Sequence, residues 1–154
     1  MTKEEFRKFC REEFYKRGFV KAKKGYYLNG DKGVVGAIFL QKSSYGADYY
    51  LNYKFYITEG EHPSIYPSED DADIEGRVRV MSKSATKNGK CFMIYPIPYE
   101  EYTRDEFKVY LDKAFEEEIM PPIILGKEYI VGKLGEVYHL GILHGDEVME
   151  KLKK

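Results

Sequence analysis

Three histidines (His62, His139 and His144), two cysteines (Cys10 and Cys91) and an acidic run at Glu69, Asp70, Asp71 and Asp73 are the residues from which a metal or catalytic centre would have to be drawn. Neither cysteine lies within four residues of a histidine or of the other cysteine, so the ligand spacing of a zinc site is missing. The acidic run lacks the alternating ligands, turn glycine and closing glutamate of a calcium loop, and reads as a solvated loop. Ser43, Ser44, Ser64, Ser68, Ser82 and Ser84 could each be combined with His139 or His144. Triads are defined by geometry, however, and serines are ordinarily spent on turns and caps. The phosphate-cradling, dinucleotide, zincin and nucleophile-elbow motifs are absent. The expectation is therefore no catalytic residue, no metal and no cofactor.

A binding chemistry is easier to find. Residues 38–57, IFLQKSSYGADYYLNYKFYI, hold Tyr45, Tyr49, Tyr50, Tyr53 and Tyr56 out of 15 tyrosines in the chain. If the stretches 34–42 and 48–57 pair as a hairpin centred on Tyr45, residues whose numbers sum to 90 stand opposite and faces sort by parity. The odd face (Val35, Ala37, Phe39, Tyr49, Leu51, Tyr53, Phe55, Ile57) then reads as core, covered by helices. The even face carries Ile38, Leu40, Lys42, Asp48, Tyr50, Asn52, Lys54 and Tyr56. Aromatic bodies with polar tips beside amide and ammonium groups suit a wet binding surface. The same face also suits a solvated sheet whose tyrosines pair across strands.

The elements that must position this face follow from local pattern. Thr2 with Glu5 and Thr103 with Glu106 are capping boxes, in which the Thr hydroxyl and the Glu carboxylate each satisfy an end N–H of a helix. Phe6, Phe9, Cys10 and Phe14 form the apolar stripe of a first helix, Lys3 to Arg17, stopped by Gly18. Phe107, Tyr110, Leu111, Ala114 and Phe115 form that of a second helix, which Pro121-Pro122 is expected to end. Between them the period changes to two, predicting strands at 19–23, 26–29, 34–42, 48–57, 74–81 and 91–94. SKSATKNGK reads as a polar connector with an Asn88-Gly89 turn, and 58–72 as a long acidic loop. The glycine-rich tail predicts short helical turns and a final helix from Asp146. Glu116, Glu117 and Glu118 would sit at a helix C-terminus, where the dipole disfavours carboxylates. Basic residues of the first helix, or a basic partner, would offset that.

The fold class expected is α+β: one domain over residues 1–154, an antiparallel meander sheet of about five or six strands, an N-terminal helix and C-terminal helices packed mainly on one face. The order of a helix, Arg17-Gly18-Phe19, Lys23 with Tyr26-Tyr27, Gln41-Lys42-Ser43 and Leu51-Asn52-Tyr53 resembles a bacterial family known as domain of unknown function 4304, chiefly over the amino-terminal half. The resemblance implies a single α+β domain and draws attention to Gln41, Lys42, Ser43 and Asn52, but implies no activity. The candidate ligand- or partner-binding set is Lys42, Ser43, Tyr50, Asn52, Lys54 and Tyr56.

Charge and composition narrow the partners. The net charge is -1, but residues 1–24 hold nine Lys or Arg against four Glu, whereas residues 59–75 hold seven Asp or Glu and no Lys or Arg. These segments could complement each other within the monomer as solvated faces. The Glu interleaved with Lys and Arg in the first helix argues against a nucleic-acid partner. No apolar run is long enough for a membrane span and no secretory pattern opens the chain, so a cytoplasmic location is expected, with both cysteines reduced and buried. The reading is a non-enzymatic protein-interaction module of the bacterial cytoplasm. Its alternative is a small-molecule binder or hydrolase with a pocket between the sheet and the C-terminal segment, drawing on Lys42, Asn52 and His139 or His144.

Overall fold

The structure is a computed structural model that describes residues 1–58, 66–133, 141–142 and 145–153. His62, His139 and His144, and the expectations placed on them, lie outside the described residues. The chain is α+β as expected. Helix α1 (Lys3–Lys16) leads into strands β1 (Val20–Ala22), β2 (Gly25–Asn29), β3 (Val34–Lys42), β4 (Tyr49–Ile57) and β5 (Ile74–Arg77). A separate ribbon, β6 (Val80–Lys87) and β7 (Lys90–Ile94), precedes helix α2 (Arg104–Ala114), a π-helical segment (Phe115–Ile119), α3 (Met120–Leu125) and α4 (Lys127–Lys133). A short strand β8 (Gly141–Ile142) and helix α5 (Gly145–Lys153) follow. The main sheet runs β1-β2-β3-β4-β5-β8 with every pairing antiparallel.

Both capping boxes form: the Thr2 and Thr103 hydroxyls accept from the Glu5 and Glu106 N–H groups, and the two carboxylates accept from the Thr N–H groups in return. The first face of the sheet is buried under α1, α2 and α3. Phe6 is fully covered, with ring centroids of Tyr49, Tyr99 and Phe107 at 5.5, 5.5 and 5.2 Å. A smaller cluster of Tyr27, Val35, Ala37, Phe39, Tyr56 and Ala72 lies on the second face.

The β3–β4 register differs from the expected one. Val34 stands opposite Ile57 and Lys42 opposite Tyr49, so partner numbers sum to 91. The loop between the strands has an even number of residues, with Ser43 N–H bonded to Asp48 O at 3.0 Å. One residue of slip moves every β3 side chain to the other face. Tyr49, Leu51, Tyr53, Phe55 and Ile57 do belong to the main core, but with Val34 and Ile38, whereas Val35, Ala37 and Phe39 share the second face with Asn52 and Tyr56.

Four further expectations are corrected. SKSATKNGK is strand for most of its length, and β6 turns into β7 through Asn88-Gly89, whose φ angles of 53° and 75° suit a two-residue hairpin loop. Cys91, at the start of β7, is exposed, whereas Cys10 is buried. Pro121-Pro122 does not end the helical run. The wider π turns of Phe115–Ile119 carry the chain into α3, and the prolines fall in the first turn of α3, where the run passes from π to α geometry. Glu116, Glu117 and Glu118 therefore stand inside a continuous helical run, not at a negative dipole end. Glu118 is nearly covered and its carboxylate lies 3.7 Å from Arg79 of the β5–β6 connection, not from a residue of α1. Burial, and then this carboxylate, push the Tyr53 hydroxyl far above its ordinary value.

An ion-pair cluster ties α1 to α2. Arg17 reaches Glu13 at 2.8 Å and Asp112 at 2.6 Å, and Lys108 reaches Asp112 at 2.7 Å. Burial raises Glu13, but hydrogen bonds from Arg17 and Lys16 outweigh it and leave the carboxyl below its ordinary 4.5. Asp112 is likewise raised by burial and drawn below 3.8 by Lys108 and Arg17. Because both folded values are depressed, their stabilisation is complete above the ordinary carboxylate values and is lost as pH falls through the lower folded ones. Urea unfolding at pH 7 and pH 3 should show a smaller loss for Glu13→Gln than for the parent chain; an equal loss would assign the acid sensitivity to other groups.

Candidate functional site

The even positions of β4 put Tyr50, Asn52, Lys54 and Tyr56 on the second face, as expected, and the observed register adds Gln41 beside them. Strand β5 then sets Arg77 opposite Asn52 and Glu75 opposite Lys54. The result is a chain of hydrogen bonds: Arg77 Nε donates to Asn52 Oδ1 at 2.8 Å, and Asn52 Nδ2 donates to Gln41 Oε1 at 2.9 Å. Asn52 is only 6% exposed, so the pairing of both ends of its amide offsets a burial that would cost about 1–3 kcal/mol unpaired. The Arg77 guanidinium lies over the Tyr50 ring at 4.5 Å, a cation–π contact that fixes its plane. Gln41 and Asn52, from two separate motifs of the sequence, thus meet in one relay, and Arg77 is its outer end.

Half of the face is spent on the chain itself. Four successive carbonyls, of Tyr66, Pro67, Ser68 and Glu69, accept from Lys23 Nζ (2.7 Å), Tyr27 Oη (2.7 Å), Tyr56 Oη (2.9 Å) and Lys54 Nζ (3.1 Å). Burial, followed by neighbouring tyrosine and acidic groups, raises the Tyr56 hydroxyl, and burial and Glu69 raise that of Tyr27, so both remain protonated donors. Lys54 is further paired with Glu75 at 3.6 Å. The aromatic face is therefore partly a clamp for residues 66–69, laid across it from the acidic connection.

What is left open is a cavity of about 490 Å³ lined by Gln41, Asn52, Lys54, Glu69, Glu75, Gly76, Arg77 and Tyr95. Its size is that of a small-ligand site, but its walls are more polar than such sites usually are. A larger depression, about 810 Å³, lies where α1 and α2 begin. Its helix N–H groups are already capped and its rim carries Glu100, Glu101 and Asp105, so it presents no comparable set of converging donors.

Of the six candidate residues, Tyr50, Asn52, Lys54 and Tyr56 are brought together. Lys42 is not: it stands opposite Tyr49, at the exposed end of β3, on the other face from Gln41. Ser43 closes the hairpin, its Oγ accepting from Tyr45 N–H at 3.2 Å. Sequence reasoning missed Arg77, Glu75 and Tyr95, because the β4–β5 pairing spans the long connection whose length hides the register. The alternation in Ile74-Glu75-Gly76-Arg77 was the available signal, since it places Glu75 and Arg77 on one face. Among the described residues no group of three His, Cys, Asp or Glu could hold a metal ion, and no helix is long and apolar enough to cross a membrane.

No curated protein matches the chain and no solved structure matches it. The family model described as Domain of unknown function (DUF4304) matches residues 10–123, well over half of the chain and a span that includes the whole Gln41–Asn52–Arg77 relay. The chain belongs to that family.

Proposed function

We propose that this protein is a non-enzymatic protein-interaction module of the bacterial cytoplasm, and that its contact surface is the open part of the second sheet face. The observation that carries the reading is the relay: a buried amide is committed to orienting an exposed arginine that, among the described residues, has no carboxylate partner. A fold that only needed to cover its sheet would fill such a position with an apolar side chain or an internal ion pair. Exposed Tyr95 and half-buried Tyr50 beside Arg77 give the residue types enriched at interface hot spots. The exposed free thiol of Cys91 supports a reducing compartment. The second reading, a small-molecule binder, draws on the size of the cavity alone.

The test is affinity capture from the source cell with tagged full-length chain. The parent and a control variant on the exposed surface of α1, Lys8→Glu, should retain one stoichiometric protein, and Arg77→Glu should lose it by at least about tenfold, a change of about 1.4 kcal/mol. Equal recovery with Arg77→Glu, or no protein recovered with the parent, would refute the proposal.

A further inference from the structure

Resting on the reading of the second face as a contact surface, we infer that Arg77 is the receptor for a single carboxylate, an Asp or Glu side chain of the partner protein. The guanidinium plane is fixed on two sides, by Asn52 and by the Tyr50 ring. Its five donors lie in a rigid fork, and the Nε edge is committed to Asn52 Oδ1. The terminal edge, Nη1 and Nη2, therefore points away from Asn52. Among the described residues neither terminal nitrogen has a hydrogen bond or an ion pair. Two parallel N–H donors held in a fixed plane match the two oxygens of a carboxylate.

The surroundings select the charge. Lys54 and Arg77 are balanced by Glu69 and Glu75 on the same cavity wall, and Lys54 is already engaged by Glu75 and by the Glu69 carbonyl. Arg77 is thus the cation of this wall that, among the described residues, has no carboxylate in ion-pair range. A phosphate monoester would bring nearly two charges toward Glu75 and Glu69, and like charges there oppose it. Asn52 is a positioning residue: it does not touch the incoming group but, held by Gln41, turns the arginine fork toward it.

The experiment follows the side-chain Nε–H signal of Arg77 in ¹⁵N-labelled full-length protein, assigned by its loss in Arg77→Lys. The probes are three blocked tripeptides, Gly-Glu-Gly, Gly-Gln-Gly and Gly-phosphoSer-Gly. The glutamate peptide should shift the signal saturably and the glutamine peptide should not, with the phosphopeptide binding more weakly. Arg77→Lys, which keeps the charge and loses the fork, should weaken the glutamate peptide at least about fivefold when followed on the Asn52 amide signal. In Asn52→Ala the Arg77 Nε–H signal should move to an exposed-arginine position in the free protein, with the far-UV spectrum unchanged, and the glutamate peptide should bind about tenfold more weakly, about 1.4 kcal/mol. Equal shifts from glutamate and glutamine, tighter binding of the phosphopeptide, or unchanged affinity in both variants would overturn the inference. The two readings fail separately. If Arg77→Glu loses the captured protein while no carboxylate probe binds, the surface stands and the carboxylate falls. If the probe binds while capture is unaffected, Arg77 accepts a carboxylate that the captured protein does not supply, and the contact surface falls.

Discussion

Phe6→Ala should lower the unfolding free energy by about 3–5 kcal/mol, read as a fall in the urea midpoint with an unchanged slope. Phe6 is fully covered and its ring meets Tyr49 of β4, Tyr99 before α2 and Phe107 within α2. Truncation would therefore remove contacts to three elements at once, and close packing on all sides leaves little room for collapse into the void. Loss of the aromatic pairs adds to the transfer term. The same change at Tyr45, which is 96% exposed in the β3–β4 loop, should fall within about 0.5 kcal/mol of the parent. A loss under about 1 kcal/mol at Phe6 would mean that α1 does not dock on the sheet in this way.

Gly30→Ala should cost about 3 kcal/mol, at the upper end of ordinary overpacking. A Cβ at Gly30 would stand 2.1 Å from the Ile123 carbonyl oxygen and 2.8 Å from that of Val34. Both neighbours are backbone, so no side-chain rotation can relieve the contact: α3 must move off the β2–β3 turn, or that turn must open and lose the Gly30 N–H to Val34 O bond of 2.9 Å. The identical substitution at Gly132, within α4 and with nothing within 4 Å of its would-be Cβ, should instead stabilise by about 0.5–1 kcal/mol through the better helix propensity of alanine. Opposite signs for one substitution make the pair a sharp check on where α3 sits. If Gly30→Ala were neutral, the close approach of α3 to the turn would be wrong.

How much of this was legible in the sequence depends on whether each decision was local. Helix starts were, because a capping box is completed by residues three apart, and both boxes formed as read. The Asn88-Gly89 turn was also legible, since the backbone conformation of a two-residue hairpin loop selects those residues. The β3–β4 register was not. Ser43-Ser44-Tyr45-Gly46-Ala47-Asp48 offers several loops of similar quality, and β3, apolar on both faces from Val34 to Phe39, carries no alternation to choose between them. That slip separated Gln41 from Asn52 on paper. The prolines at 121 and 122 misled because the rule that proline ends a helix assumes α geometry throughout, and the preceding π turns remove the clash.

The candidate site divides the same way. Tyr50, Asn52, Lys54 and Tyr56 follow from the period of β4 alone, so their common face was readable. Arg77 required the pairing of β4 with β5 across the acidic connection, and the division of labour on the face required knowing that residues 66–69 return to it. Tyr56 and Lys54 look alike in sequence to Tyr50 and Arg77, yet the first two hold the protein's own backbone while the second two are turned outward.

The most direct measurement of the central claim is a side-chain ¹H–¹⁵N spectrum of the full-length protein with and without the protein captured from its source cell. The largest shifts are predicted at Arg77 Nε, Asn52 Nδ2 and Gln41 Nε2, the three members of one hydrogen-bonded chain. Shifts confined to α1 or to the β6–β7 ribbon, with those three signals unmoved, would contradict it.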